Sequence, residues 1–192
     1  TLGAEHPDTL ARVAELALWL QQAANFGEAA TLLHQVLEAR ERILEPDHAD
    51  TLTTQHDIGG LLFDHGCAED GESLLRRAAE GRERSLGLNH PDTLASLSRL
   101  VTVLTARGDI ESAIVLCRRV LAIRERVLEP NDPATLTSFD KLATLLYEQG
   151  DYAAAEPAFQ RICQFSQRRL VEIVHLARQH PDRSEADDLV GF

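Results

Sequence analysis

The sequence predicts an all-α solenoid of four stacked helix–turn–helix units, and three observations predict it. The first is a strict repeat: Leu2, Thr9 and Leu10 return as Leu44, Thr51 and Leu52, as Leu86, Thr93 and Leu94, and as Leu128, Thr135 and Leu136, each set 42 positions after the last. A fixed period of this size means supersecondary units that bury their apolar faces on one another, and such stacks present an extended surface rather than a catalytic pocket. The second is helical periodicity, as in Val13, Leu16, Ala17 and Leu20 or Phe139, Leu142, Ala143 and Leu146. The third is punctuation, with cap residues before each first helix and glycines between the two helices.

Each first helix opens on a cap. His6-Pro7, His90-Pro91 and Asp132-Pro133 suit an N-cap followed by proline at the first helical position, and Asp8 and Asp92 favour the positive helix end. His48 and Asp50 occupy the same linker position, which makes them capping residues and not a proton relay. Each first helix stops at a turn needing a left-handed residue, supplied by Gly66, Gly108 and Gly150, while the first unit carries Ala24 there and shifts its glycine to Gly27.

The second helices carry small residues at Ala29, Gly71, Ala113 and Ala155, where two helices of a unit can approach closely. They end in Arg40-Glu41-Arg42, Arg82-Glu83-Arg84 and Arg124-Glu125-Arg126, cations that suit the negative helix end. Equivalent positions are expected to be equally buried in every unit: Leu16, Ile58, Leu100 and Leu142, and the four small residues. The units read as residues 2–43, 44–85, 86–127 and 128–169, followed by a 170–192 extension with an acidic tail. No breaker appears after Pro157 until His180-Pro181, so the last helix is expected from Ala153 to Gln179, about 40 Å at 1.5 Å per residue. Its overhang, with Ile173, Val174 and Leu176, is expected to cap the fourth unit or to pair with a second copy.

Composition narrows the function. A formal charge of −12 argues against nucleic acid, whose phosphates demand a basic face. No apolar run approaches the ~18 residues of a membrane span, and no signal-peptide pattern opens the chain. The three cysteines, Cys67, Cys117 and Cys163, show neither metal nor disulfide spacing, so buried free thiols in a reducing, cytoplasmic setting are expected. There is no methionine, and Leu2 occupies the place that ends a second helix elsewhere, so a piece cut from a longer array is expected. No phosphate loop, nucleophile–base pair or metal-ligand spacing is visible; His56 and His65 do not share a helix face. A non-catalytic protein without cofactor or metal is therefore expected.

The run Gly150-Asp151-Tyr152-Ala153-Ala154-Ala155-Glu156-Pro157-Ala158-Phe159 resembles the glycine, tyrosine, alanine and phenylalanine pattern of tetratricopeptide repeats (TPR). The 42-residue period and the His90-Pro91-Asp92-Thr93-Leu94 linker are similar to the variety found in kinesin light chains. They also resemble bacterial arrays that accompany switch ATPases of the STAND/NB-ARC kind, the run Thr51 to Asp57 especially. The resemblance covers residues 2 to about 170. It implies a right-handed superhelix that binds a protein or peptide partner.

In that family the first helix of each unit lines the concave groove through positions two, five, six, nine, twelve and thirteen. Carried onto this chain, the second unit offers Thr53, His56, Asp57, Gly60, Phe63 and Asp64. The third offers Ala95, Ser98, Arg99, Thr102, Thr105 and Ala106, and the fourth Thr137, Asp140, Lys141, Thr144, Tyr147 and Glu148. The first, with Ala14, Glu15 and Leu18 among them, is blander. The paired asparagines with which such repeats often grip a peptide backbone are replaced by Ala14-Glu15, His56-Asp57, Ser98-Arg99 and Asp140-Lys141. The resemblance therefore implies side-chain reading, with Phe63, Arg99, Lys141 and Tyr147 open to the groove.

Overall fold

The computed structural model describes residues 3–129 and 131–164, and all regular structure among them is helical. The helices are α1 (Pro7–Gln22), α2 (Phe26–Ile43), α3 (Ala49–Asp64), α4 (Ala68–Leu86), α5 (Pro91–Ala106), α6 (Ile110–Val127) and α7 (Pro133–Gln149), with residues 152–164 helical after them. They fall into two compact units, Thr1–Leu128 and Glu129–Phe192. The expected extension to Gln179, its capping or pairing role and the acidic tail lie outside the described residues.

The punctuation works as its chemistry suggests. His6, His48 and His90 each accept the amide two residues on through Nδ1, at 3.2 Å, and Asp132 accepts that of Ala134 at 2.8 Å. All four turns close in one way: Asn25, Cys67, Asp109 and Asp151 donate to the carbonyl five residues back, at 2.8–3.0 Å. This closure needs a left-handed residue just before the donor. Gly66, Gly108 and Gly150 take φ of 86°, 79° and 86° there, and Ala24 is forced to 60°.

In the first unit each helix packs on the next, and α3 also touches α5, so successive first helices stand side by side. Ala17, Ala29, Leu33, Leu37, Ile58 and Leu61 make one continuous core across two repeats. The small positions hold: Ala29, Gly71, Ala113 and Ala155 are all buried. At Gly71 the reason is direct, since a Cβ there would stand 2.7 Å from the carbonyl oxygen of Gly59.

The expectation of equal burial fails at Leu16. Ile58, Leu100 and Leu142 are at most 8% exposed, whereas Leu16 is 51% exposed. Ile58 is buried because it lies against Leu33 and Leu37 of the preceding second helix, and among the described residues no helix precedes α1. The cysteines also need correction. Cys117 is buried, but Cys67, at the cap of α4, and Cys163 are exposed.

The Arg-Glu-Arg runs do more than complement a helix end. Each of their three side chains reaches in a different direction. Arg40 and Arg82 are buried and cross to the next first helix, where their Nη1 atoms bond Thr54 Oγ1 at 2.6 Å and Ser96 Oγ at 2.7 Å and also reach the carbonyls of Asp50 and Asp92. The glutamates join successive second helices through Glu41–Arg77 and Glu83–Arg119, at 2.8 and 3.0 Å. The last arginines turn back to the linker opening their own repeat, as Arg84 does to Asp47 and Arg126 to Asn89.

Candidate functional site

On α3, residues 53, 56, 57, 60 and 64 recur at helical spacing on the side facing α5, and 95, 98, 99 and 102 answer them from α5. Two contacts stitch these helices together. Ser96 Oγ lies 3.2 Å from His56 Nδ1, and Arg99 Nη2 donates to both Asp64 carboxylate oxygens at 2.6 Å and to the Gly60 carbonyl at 3.3 Å. The Arg99 guanidinium also sits 5.4 Å from the centre of the Phe63 ring. Phe63 and Arg99 are therefore half-buried and engaged with each other rather than simply open.

The His56–Asp57 pair is different. Ser96 Oγ accepts from Arg82, so its own proton is available for His56 Nδ1, which assigns the neutral tautomer with the hydrogen on Nε2. Burial, together with Arg82 and Arg99, pushes the His56 pKa down to about 4. Its Nε2–H has no protein partner among the described residues and is not sealed from water. Asp57 feels the buried Arg82 and Arg40, yet no donor reaches its carboxylate among the described residues. Burial pushes its pKa up to about 6 against the pull of Arg82 and Arg40. A free donor and a free acceptor thus stand on adjacent residues, half-buried, on the side of α3 that faces α5.

The α5 hydroxyls have used their protons on their own helix. Ser98, Thr102 and Thr105 donate to the carbonyls four residues back, at 2.8, 3.3 and 2.7 Å, and Ser98 also accepts from Arg124. In the second unit Asp140, Thr144, Tyr147 and Glu148 are exposed and Lys141 is half-buried. Tyr147 meets Tyr152 edge to face, ring centres 5.1 Å apart. His65, set aside as a ligand, stacks on Phe26 at 3.6 Å. Among the described residues no cluster of histidine, cysteine and carboxylate side chains suits a metal, and no helix is long and apolar enough to cross a membrane.

Sequence reasoning missed the buried arginines beneath this face. The available signal was a hydroxyl inside an otherwise apolar stripe, Thr54 and Ser96, fourteen residues after Arg40 and Arg82. A buried guanidinium needs such an acceptor.

Family models of the tetratricopeptide repeat match residues 9–66 and 95–168, and a second such model matches 51–92. The chain belongs to the tetratricopeptide repeat family. Its fold is similar to that of the kinesin light chain "nearly identical TPR-like repeats" of Podosopora anserina, with a TM-score of 0.78 at 28% identity, covering 88% of this chain and 80% of that one. It is also similar to BtubC (BKLC) from P. vanneervenii, with a TM-score of 0.77 at 20% identity over 85% and 66% of the two chains. A third likeness is to Bacillus thuringiensis PlcR, solved in complex with the peptide PapR7 and DNA, with a TM-score of 0.67 at 14% identity over 93% and 62%. No curated protein matches the sequence. The TPR fold is an all-helical solenoid that generally serves as a protein-interaction scaffold.

Proposed function

We propose that this TPR segment captures an extended peptide, or an extended stretch of a protein partner, along the side of its first helices, and that His56 and Asp57 grip the main chain of that ligand. The carrying observation is the adjacent free pair, His56 Nε2–H as donor and the Asp57 carboxylate as acceptor. A peptide backbone presents the matching acceptor and donor at every residue. An amide pair is thereby replaced by a histidine and a carboxylate that together offer the same two functions. Ser98, Thr102 and Thr105 keep free lone pairs on the neighbouring α5, and in the second unit Asp140, Lys141, Thr144, Tyr147 and Glu148 hold the equivalent repeat positions as a proposed contact set of their own. The fold is one that occurs in a protein solved with a bound peptide, PlcR.

The wider reading is a non-catalytic sensor or scaffold segment of a larger bacterial signalling protein of the STAND/NB-ARC kind, supported by the resemblance over Thr51 to Asp57. The test is an array of twelve-residue peptides probed with the wild-type chain, its strongest binders then titrated against the joint variant H56A/D57A. Affinity should fall at least tenfold, and a Thr31→Ala control on α2 should leave it unchanged. Binders indifferent to the joint variant would sink the proposal. Affinity should also weaken from pH 7 to pH 5, because Asp57 takes up a proton near pH 6 and becomes a weaker, uncharged acceptor.

A further inference from the structure

On the opposite side of α5, an open cleft of about 620 Å³ lies between the second helices α4 and α6. Its floor is Leu97, Leu100 and Leu104 of α5, with Ala79 on one wall and Leu116 on the other. Two departures from the repeat converge there, above an apolar floor. Ala79 stands where the first and third repeats carry Leu37 and Leu121, both 6% exposed, so one wall lacks a side chain that its equivalents fill with. Leu97 keeps the floor apolar, as Val13 and Phe139 do at the equivalent places, whereas the second repeat has Gln55 there, bonding Glu41 at 3.2 Å. Val115, at the lip and 66% exposed, replaces Thr31 and Ser73. One such change is drift in a repeat; two in one cleft make it deeper and more apolar at once.

The rim carries a charge surplus of one sign. Arg76 is held at 2.7 Å by Glu72, which also pairs with Arg107, and Arg119 is held by Glu83 at 3.0 Å, so both cations are engaged. Glu80 and Glu111, also on the rim, make no salt bridge among the described residues, although Glu80 still feels the charge of Arg84. An apolar slot between two unpaired carboxylates selects for an apolar group flanked by positive charge.

We propose that this cleft is a second docking site and that its occupant is a basic segment of a protein partner. The segment inserts one leucine-sized side chain opposite Ala79 and sets lysine or arginine beside Glu80 and Glu111. The site is separate from the His56–Asp57 pair, since it lies between α4 and α6 over the side of α5 opposite to the one that faces α3.

The probes are three capped eight-residue peptides: one with a leucine between two lysines, one with glutamates for the lysines, one with serine for the leucine. Each is titrated into the intact chain and followed by backbone amide NMR. The first should move the amides of Ala79, Val115 and Leu116 with saturable binding, and the other two should bind at least tenfold more weakly. Ala79→Leu, the residue native to Leu37 and Leu121, should fill the slot and weaken binding tenfold or more. Val115→Ser, the residue native to Ser73, should weaken it about threefold, and E80Q/E111Q should do the same while removing most of the salt dependence. D57N should leave this binding unchanged, which separates failure here from failure of the peptide site. Equal binding of the glutamate peptide, full affinity in A79L, or no saturable binding would overturn the proposal. So would movement of the same amides with protein concentration alone, because the occupant would then be a second copy of this chain.

Discussion

The second and third repeats share one backbone register and use it in opposite ways. In the second, Gly59, Gly71 and Gly81 bring backbones and side chains into direct contact: a Cβ on Gly59 would lie 2.8 Å from the Leu75 side chain and 2.9 Å from the Gly71 carbonyl oxygen. In the third, Val101, Ala113 and Ile123 stand at those positions and fill the space with side chains. The groove positions diverge as well. Asp57 of the second repeat corresponds to Arg99 of the third; Arg99 is tied to Asp64 and Phe63, whereas Asp57 has no donor of its own among the described residues. Repetition conserves where a side chain points. It does not conserve whether that side chain already has a partner, and binding capacity follows from the second property.

The largest test of this contrast lies at the glycine contact. Gly59→Val, which installs the residue native to Val101, should cost about 3 kcal/mol by overpacking, because the backbone of Gly71 cannot yield. Val101→Ala at the matching position should cost no more than about half of that. Denaturant unfolding measures both, and equal losses would show that the two helix pairs are spaced alike.

Asp57 gives the next effect, and its direction depends on pH. Its folded pKa of about 6 stands above the ordinary 3.8, so the proton is held more tightly in the folded chain. Stability from this group is complete below pH 4 and lost as pH rises through 6. Asp57→Asn should therefore stabilise the protein at pH 7 by on the order of 1–2 kcal/mol, discounted for partial solvent exposure, and have little effect at pH 4. His56 works the other way: its folded pKa of about 4 is below 6.5, so its contribution is present above pH 6.5 and lost as pH falls through 4. In H56Q the stability decline below pH 6.5 should be shallower than in the wild type.

At the turns, Ala24→Gly should stabilise by about 1 kcal/mol, since alanine at φ 60° bears a left-handed penalty that glycine avoids. Gly108→Ala should destabilise by a similar amount. Thermal midpoints moving together would contradict the equivalence of the turns.

The smallest effect concerns a repeated threonine. Thr93 donates to the Gly87 carbonyl at 2.9 Å and Thr9 to Gly3 at 3.0 Å, but Thr51 is sealed with no partner for Oγ1, in the repeat where Glu45 replaces that glycine. Thr93→Val should cost about 1 kcal/mol, and Thr51→Val should be neutral or slightly stabilising. Paired melting curves separate the two.

Much of this architecture could be read in advance because repeats state their rules four times. The caps at His6, His48 and His90, the turns at Gly66, Gly108 and Gly150 and the buried small residues each depend on local backbone chemistry, which spacing reveals. Leu16 could not be read this way, because its burial depends on what lies beside it and not on its own helix. The groove residues were nameable from the family pattern, but their state was not. That Arg99 is already spent on Asp64, or that Arg82 lies beneath Asp57, depends on contacts between residues 25 to 35 apart. Only the packing of one repeat on the next brings those together.

The most direct test of this contrast is a calorimetric titration of one array-selected peptide against D57A, which removes the acceptor, and against R99Q, two variants at the same repeat position. The free acceptor at Asp57 should matter and the engaged cation at Arg99 should not. D57A should lose at least tenfold in affinity while R99Q stays within threefold of the wild type. Equal losses, or a larger loss in R99Q, would contradict the claim that binding rests on the side chains the fold leaves unpartnered.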